Sequence, residues 1–238
     1  MIIWLASYPR SGNTFLRALL YQVYGVTTHE FYPLASEREV LVGAGGRALE
    51  AETAMKSIFG VAPKLSTDEM RQAPETYLVK THEMPAEDWP AIYLVRDGRD
   101  ALVSHAHFVQ HYDLQLPHGE QRARYHDTLK MLIETGSFGG WSGNVGAWTR
   151  RSTRTAVARF EDLIDAPIER LRRTVAAVGY PLTEVMTPRI PSFEELHRQL
   201  PHFFRKGRVG AWREEMSEDL QELFWQRHGD VMRAMGYE

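Results

Sequence analysis

The apolar residues of this chain fall into short blocks separated by polar turns, and the spacing within the blocks alternates between strand-like and helix-like. Ile2 to Ala6 is almost wholly apolar, as expected of a parallel strand covered on both faces. Ser7 to Asn13 brings Ser, Pro, Gly and Asn together, which is a turn composition. From Thr14 onward, Phe15, Leu16, Leu19, Leu20 and Val23 follow helical spacing, with Gly25 as a stop. Tyr77–Lys80 and Ala91–Val95 predict a second and a third strand, and Thr155–Phe160 a fourth. Asp97 or Asp100 is placed to cap a helix running to about Phe108, and another helix is expected near Gln121–Glu134. Pro167 opens a helix with Ile168, Leu171, Val175 and Val178 inward and Gly179 as its stop. Ser66 with Glu69 reads as a capping box, and Ser217 opens a last helix closed by Gly236. Residues 29–64 show no strong period and are expected to be loop and short helix, part of a pocket or lid. No repeat or linker interrupts the chain, so residues 1–238 are read as a single domain.

Composition narrows the classes. A chain of 238 residues, 43% hydrophobic and 25% charged, is long enough for a sizeable core. Its formal net charge of −3 argues against a general nucleic-acid binder, so any basic site must be local. The absence of cysteine excludes disulfides, thiol nucleophiles and Cys-ligated zinc. No apolar stretch approaches the roughly 18 residues of a membrane-spanning helix. The apolar start, Met1 to Ala6, is too short for a signal peptide, and the expected location is cytoplasmic. Composition gives no oligomeric state.

Strand, tight polar loop, helix is the arrangement that aims backbone N–H groups and a helix N-terminus at an anion, and Arg10 adds a full charge. The loop lacks the second glycine and the Lys of a Walker A motif, which weakens a nucleoside-triphosphatase reading. Polar clusters at 7–14, 80–83 and 96–100 each follow a predicted strand, where ligands of open α/β sheets sit.

Tyr8 to Thr14 resembles the 5′-phosphosulfate loop of sulfotransferases that use 3′-phosphoadenosine 5′-phosphosulfate (PAPS). Lys80-Thr81-His82 looks like the Lys-Thr-His motif of the cytosolic members, and Tyr93 to Phe108 resembles their 3′-phosphate segment. Arg159 to Leu163 is similar to their aromatic-Glu-Asp step, and Phe204 to Trp212 to their R-K-G-x-x-G-x-W loop. The resemblance implies an α/β, P-loop-like three-layer fold: a central parallel sheet flanked by helices, related to nucleotide kinases. It implies sulfuryl transfer from PAPS to an acceptor hydroxyl by in-line displacement, with adenosine 3′,5′-bisphosphate as product and no metal required.

By the same resemblance His82 is the general base, with Arg10 and Lys80 beside the transferring group. Arg10, Ser11, Gly12, Asn13, Thr14 and Phe15 form the first cradle. Arg96, Ser104, Arg205, Lys206 and Gly207 belong to the second, and Phe160, at the aromatic step, is a further cofactor-binding residue. The chemistry is consistent: a donor with a phosphosulfate and a distant 3′-phosphate needs two anion cradles, and Arg offers a bidentate fork. The attacking hydroxyl must lose a proton, a task for a His. Two departures stand out: Arg10 replaces a Lys, and Phe15 replaces a Trp that stacks on adenine. The family's C-terminal dimer motif is absent after Trp212.

Competing readings are a small-molecule or nucleotide kinase of the same fold class, and a catalytically inactive nucleotide-binding module. Glu83 is the spare base. Arg99 is expected to be a surface charge at a helix start, Arg150 to Arg154 a solvated turn, and His107 with His111 pocket lining or solvent-exposed rather than a metal pair. Aromatic residues outside the donor motifs (Phe31, Tyr32, Phe59, Phe108, Tyr112, Trp141 and Trp148) suit a small-molecule or lipid-like hydroxyl acceptor, with no nucleic-acid partner, and Trp141 and Trp148 are expected in the core or the acceptor pocket rather than as base-stacking platforms.

Overall fold

The structure is a computed structural model that describes residues 1–31, 65–185, 192–199 and 207–238. Five parallel strands form one sheet in the order β2-β3-β1-β4-β5: β1 Ile2–Ser7, β2 His29–Glu30, β3 Tyr77–Thr81, β4 Ala91–Val95 and β5 Thr155–Arg159. β2 begins the stretch expected to be loop; it is two residues long and pairs His29 with Val79 and Glu30 with Lys80. A pattern that short carries no periodic signal. Thr155–Arg159 is consequently the fifth strand, and Phe160 begins a helix.

Central β1 is buried at all six positions, and its alternating side chains enter two core layers. Ile2, Trp4 and Ala6 face a layer built with α3 (Gly98–Phe108), α4 (His118–Glu134), α5 (Gly140–Thr149) and α10 (Glu218–Ala234). Ile3 and Leu5 face α1 (Asn13–Tyr24) and α7 (Pro167–Val178) on the other side. The shorter helices α2 (Thr67–Gln72) and α9 (Trp212–Glu215) join the first layer through Met70 and Trp212, and α6 (Phe160–Asp165) and α8 (Phe193–Gln199) join the second through Phe160, Leu163 and Leu196.

The local signals act as the sequence suggests. Ser66 closes a capping box with Glu69, Asp97 caps α3 by accepting from the Arg99 N–H, and Gly25 and Gly179 end α1 and α7 in left-handed conformations. Of the two places expected for Trp141 and Trp148, core or acceptor pocket, the structure puts both in the core, 0% and 1% exposed. Two expectations are corrected. Arg99 is buried: it bonds Asp97 and stacks on Trp212 at 3.9 Å. Arg151 is not in a solvated turn; it donates to the carbonyls of Glu87 and Trp89 at 2.8 and 2.6 Å. Planar guanidinium forks satisfy carbonyls and stack on indoles when buried, which a charge count cannot reveal. Phe59, like the rest of 32–64, lies outside the described residues, as do Arg205 and Lys206. Among the described residues no helix is long and apolar enough to cross a membrane.

Candidate functional site

The strand order reverses about β1, so the loops leaving β1, β3 and β4 converge at one carboxyl edge of the sheet, where open α/β folds bind ligands. In the β1 loop, Arg10 and Gly12 adopt left-handed backbone (φ 63° and 94°). Gly12 has a second constraint: a Cβ there would overlap the Phe160 ring. No side chain caps α1, which leaves its first-turn N–H groups aimed along the loop. Asn13 turns its amide inward, donating to the Leu5 carbonyl at 2.9 Å and to Ser7 Oγ at 3.2 Å, so its side chain braces the loop. Ser11 Oγ is buried with no partner among the described residues. Thr14 is half-buried at the helix start. Phe15 is buried in the α1 layer and meets Phe160 edge-on at 6.5 Å, so it serves the core first.

The cations of the two expected cradles touch. Arg10 Nε donates to Ser104 Oγ at 3.2 Å, while its guanidinium lies over the Phe108 ring. Arg96, at the end of β4, donates from Nη1 to the Arg10 carbonyl at 3.2 Å and lies 4.7 Å from the Phe160 ring centre. Among the described residues its nearest carboxylate, Asp100, is 3.8 Å away, and its buried Nε has no partner. Burial pushes the Arg96 pKa down, against the pull of Asp100, Glu161 and Asp97. A buried hydroxyl and a buried guanidinium N–H without acceptors fit a polyanion such as a phosphorylated nucleotide. Asp100, expected only as a cap, also accepts from the N–H groups of Gly210 (2.7 Å) and Trp212 (3.0 Å), pinning the Gly207–Trp212 loop beside Arg96. Gly207 itself is left-handed, φ 59°.

His82 sits beyond the end of β3. Its Nδ1 lies 2.8 Å from the Ser7 carbonyl oxygen, which can only accept, so Nδ1 carries the proton and the basic lone pair belongs to Nε2. Burial first, then Lys80, His105 and Arg10, holds this imidazole well below its ordinary value despite the Ser7 bond. The neutral form therefore dominates at neutral pH. His105 accompanies it, packed edge-on against Tyr8 and depressed to about 4, chiefly by burial.

Lys80, expected to stabilise charge on the transferring group, stands near the carboxyl end of β3. It pairs at 3.1 Å with Glu30, which also binds Arg17. The two cations outweigh burial and keep the Glu30 pKa low. Glu30 was not legible in the sequence as a site residue, because β2 itself was not. The Glu83 side chain is exposed, and its carbonyl accepts from Trp148 Nε1 at 2.9 Å. His107 pairs with Glu215 at 2.5 Å and stacks on Tyr125, tying α3 to α9. Among the described residues no group of three or more His, Asp or Glu gathers as a metal site.

The chain is 25% identical to mouse Sulfotransferase 1B1 over 93% of its own length and 79% of that protein's. It is 23% identical to Flavonol 4'-sulfotransferase of Flaveria chlorifolia, over 93% and 77%. Its fold matches a mouse sulfotransferase solved with PAP, at TM-score 0.67 and 18% identity, covering 98% of this chain and 84% of that one. It also matches a retinol dehydratase solved with androsterone and the inactive cofactor PAP, at TM-score 0.65 and 18% identity, covering 100% and 82%. Residues 2–236 match the sulfotransferase domain family, and the chain belongs to it.

Proposed function

We propose that this protein transfers a sulfuryl group from PAPS to a hydroxyl of a small or lipid-like acceptor, with His82 as general base. The observation that carries the reading is the His82 tautomer: Nδ1 donates to the Ser7 carbonyl beside the Arg10 loop, so Nε2 is the proton acceptor. Bound in the site, the donor supplies an activated sulfuryl group and leaves as adenosine 3′,5′-bisphosphate. Arg10, Ser11 and the N–H groups from Gly12 to Thr14 would hold the phosphosulfate end, with Phe15 following in the same turn. Arg96, Ser104 and Gly207 would hold the 3′-phosphate, with Arg205 and Lys206 assigned there by motif. Positioning and charge stabilisation dominate such transfers, as in phosphoryl transfer. Lys80, ion-paired with Glu30, keeps a positive charge at the same edge.

The PAP found in the two structural neighbours supports this donor. The androsterone in one of them supports an acceptor with an apolar body. A cytoplasmic location belongs to this proposal and rests on the resemblance alone. The test is a magnesium-free incubation with labelled PAPS and a panel of phenols, sterols and alkyl alcohols. Label should appear in an ester as PAP accumulates. Transfer from ATP with magnesium, and none from PAPS, would replace this reading with a kinase.

A further inference from the structure

Asn144 lies on α5, fully buried. Its Nδ2 donates to the main-chain carbonyls of His82 (2.9 Å) and Phe138 (3.1 Å), and its Oδ1 accepts from the Tyr93 hydroxyl at 2.9 Å. One helical turn on, Trp148 Nε1 donates to the Glu83 carbonyl. Thus α5 holds two successive carbonyls just past the end of β3. The imidazole is held separately by the Ser7 carbonyl, so His82 is tethered at both its backbone and its ring.

Phe138 is unusual in its own right. It has φ 58°, a left-handed conformation that a bulky residue adopts only where its surroundings impose it. Gly136, Gly139 and Gly140 beside it also have positive φ. Its ring is half-buried, belongs to neither core layer, and sits 5.9 Å from the His82 ring. The ring stands outside both core layers and against the His82 imidazole.

We propose that Asn144 is a positioning residue for the transfer reaction and that Phe138 is the specificity-determining ring it holds against His82. One amide then sets both the direction of the base and the wall that a flat, apolar acceptor meets as its hydroxyl approaches Nε2. This assignment rests on the sulfotransfer reading, but the coupling of Asn144 to His82 has a test that needs neither donor nor acceptor.

In imidazole 15N spectra, with the His82 signal assigned by His82→Gln, the wild type should show the Nδ1-protonated tautomer. Asn144→Ala should move that signature toward a mixture of tautomers. Tyr93→Phe, which removes a bond from the same amide without touching either carbonyl, should leave it in place. An unchanged signature in Asn144→Ala, or an equal change in Tyr93→Phe, overturns the positioning role.

Phe138→Gly keeps every carbonyl and accepts the left-handed backbone, so it provides an arm that does not depend on Asn144→Ala folding. Loss of the ring current should shift the His82 ring protons, and KM for 4-nitrophenol should rise about tenfold, the low end of what one apolar pocket contact discriminates. PAP affinity should stay unchanged. Unmoved ring protons, an unchanged KM, or no wild-type turnover of 4-nitrophenol overturns the specificity role. A failed transfer assay with PAPS would sink the proposed reaction and leave the spectroscopic coupling standing.

Discussion

Arg96 and Arg99 stand three residues apart at the end of β4 and the start of α3, Arg99 buried and Arg96 largely so, yet they occupy opposite electrostatic situations. Arg99 spends its fork inside the protein, with two bonds to Asp97, one to the Glu238 carbonyl at 2.5 Å, and a stack on Trp212. Among the described residues, Arg96 holds two carbonyls loosely, at 3.2 and 3.4 Å, has its closest carboxylate at 3.8 Å, and leaves Nε unpartnered. A saturated cation fixes helices to one another. A buried cation short of acceptors is built to receive an anion. The same contrast separates the carboxyl edge of the sheet from the α3–α10 side of the molecule, and substitutions should sort accordingly.

The largest effect should come from the edge. His82→Ala should slow sulfate transfer by about 10²–10⁴, the range of a lost general base, while calorimetry finds PAP affinity and melting temperature unchanged. Near-normal turnover would move the base elsewhere, with Glu83→Ala as the next variant. On the opposite side, Arg99→Met should leave PAP binding intact. Asp97 would then be buried without its cation, and urea unfolding should show a loss of about 3–5 kcal/mol. If donor affinity fell instead, the contrast between the two arginines would be false.

Arg96→Met should do the reverse, costing PAP about 1.5–3 kcal/mol of affinity per lost charge-assisted bond and AMP far less. Equal losses for PAP and AMP would place the 3′-phosphate elsewhere.

The smallest effect is a slope. His105 and His228 are depressed to about 4, mainly by burial, from an ordinary value of 6.5, so the unfolded chain takes up their protons before the folded one does. Their contribution is fully present above 6.5 and is lost as pH falls toward 4, at up to about 1.4 kcal/mol per pH unit for each. Replacing both with Gln should flatten stability across that window. His82 is depressed in the same direction, so donor-free protein should keep it neutral at pH values where an exposed imidazole charges.

The parts of this structure that local rules determine were readable in advance. An apolar five-residue run, a turn-rich loop and a change of period suffice for β1, its loop and α1, and Pro167 with Gly179 brackets α7. What escaped reading depends on distant partners. Glu30 matters because a two-residue strand sets it beside Lys80. Asn144 lies on a helix containing Gly140, Gly143 and Gly146, whose composition hides its helical character, and its three bonds reach residues between 6 and 62 positions away. Arg99 pairs locally with Asp97, but the groups that bury it, Trp212 and Glu238, come from the other end of the chain.

Gly12 sits beneath the Phe160 ring with no room for a methyl group. Folding alone therefore forbids substitution there, whatever the loop binds. An inheritable loss of activity would leave this glycine in place, so its presence in a descendant chain is no record of surviving chemistry. The more informative marker is the imidazole at position 82, which the packing described above does not require.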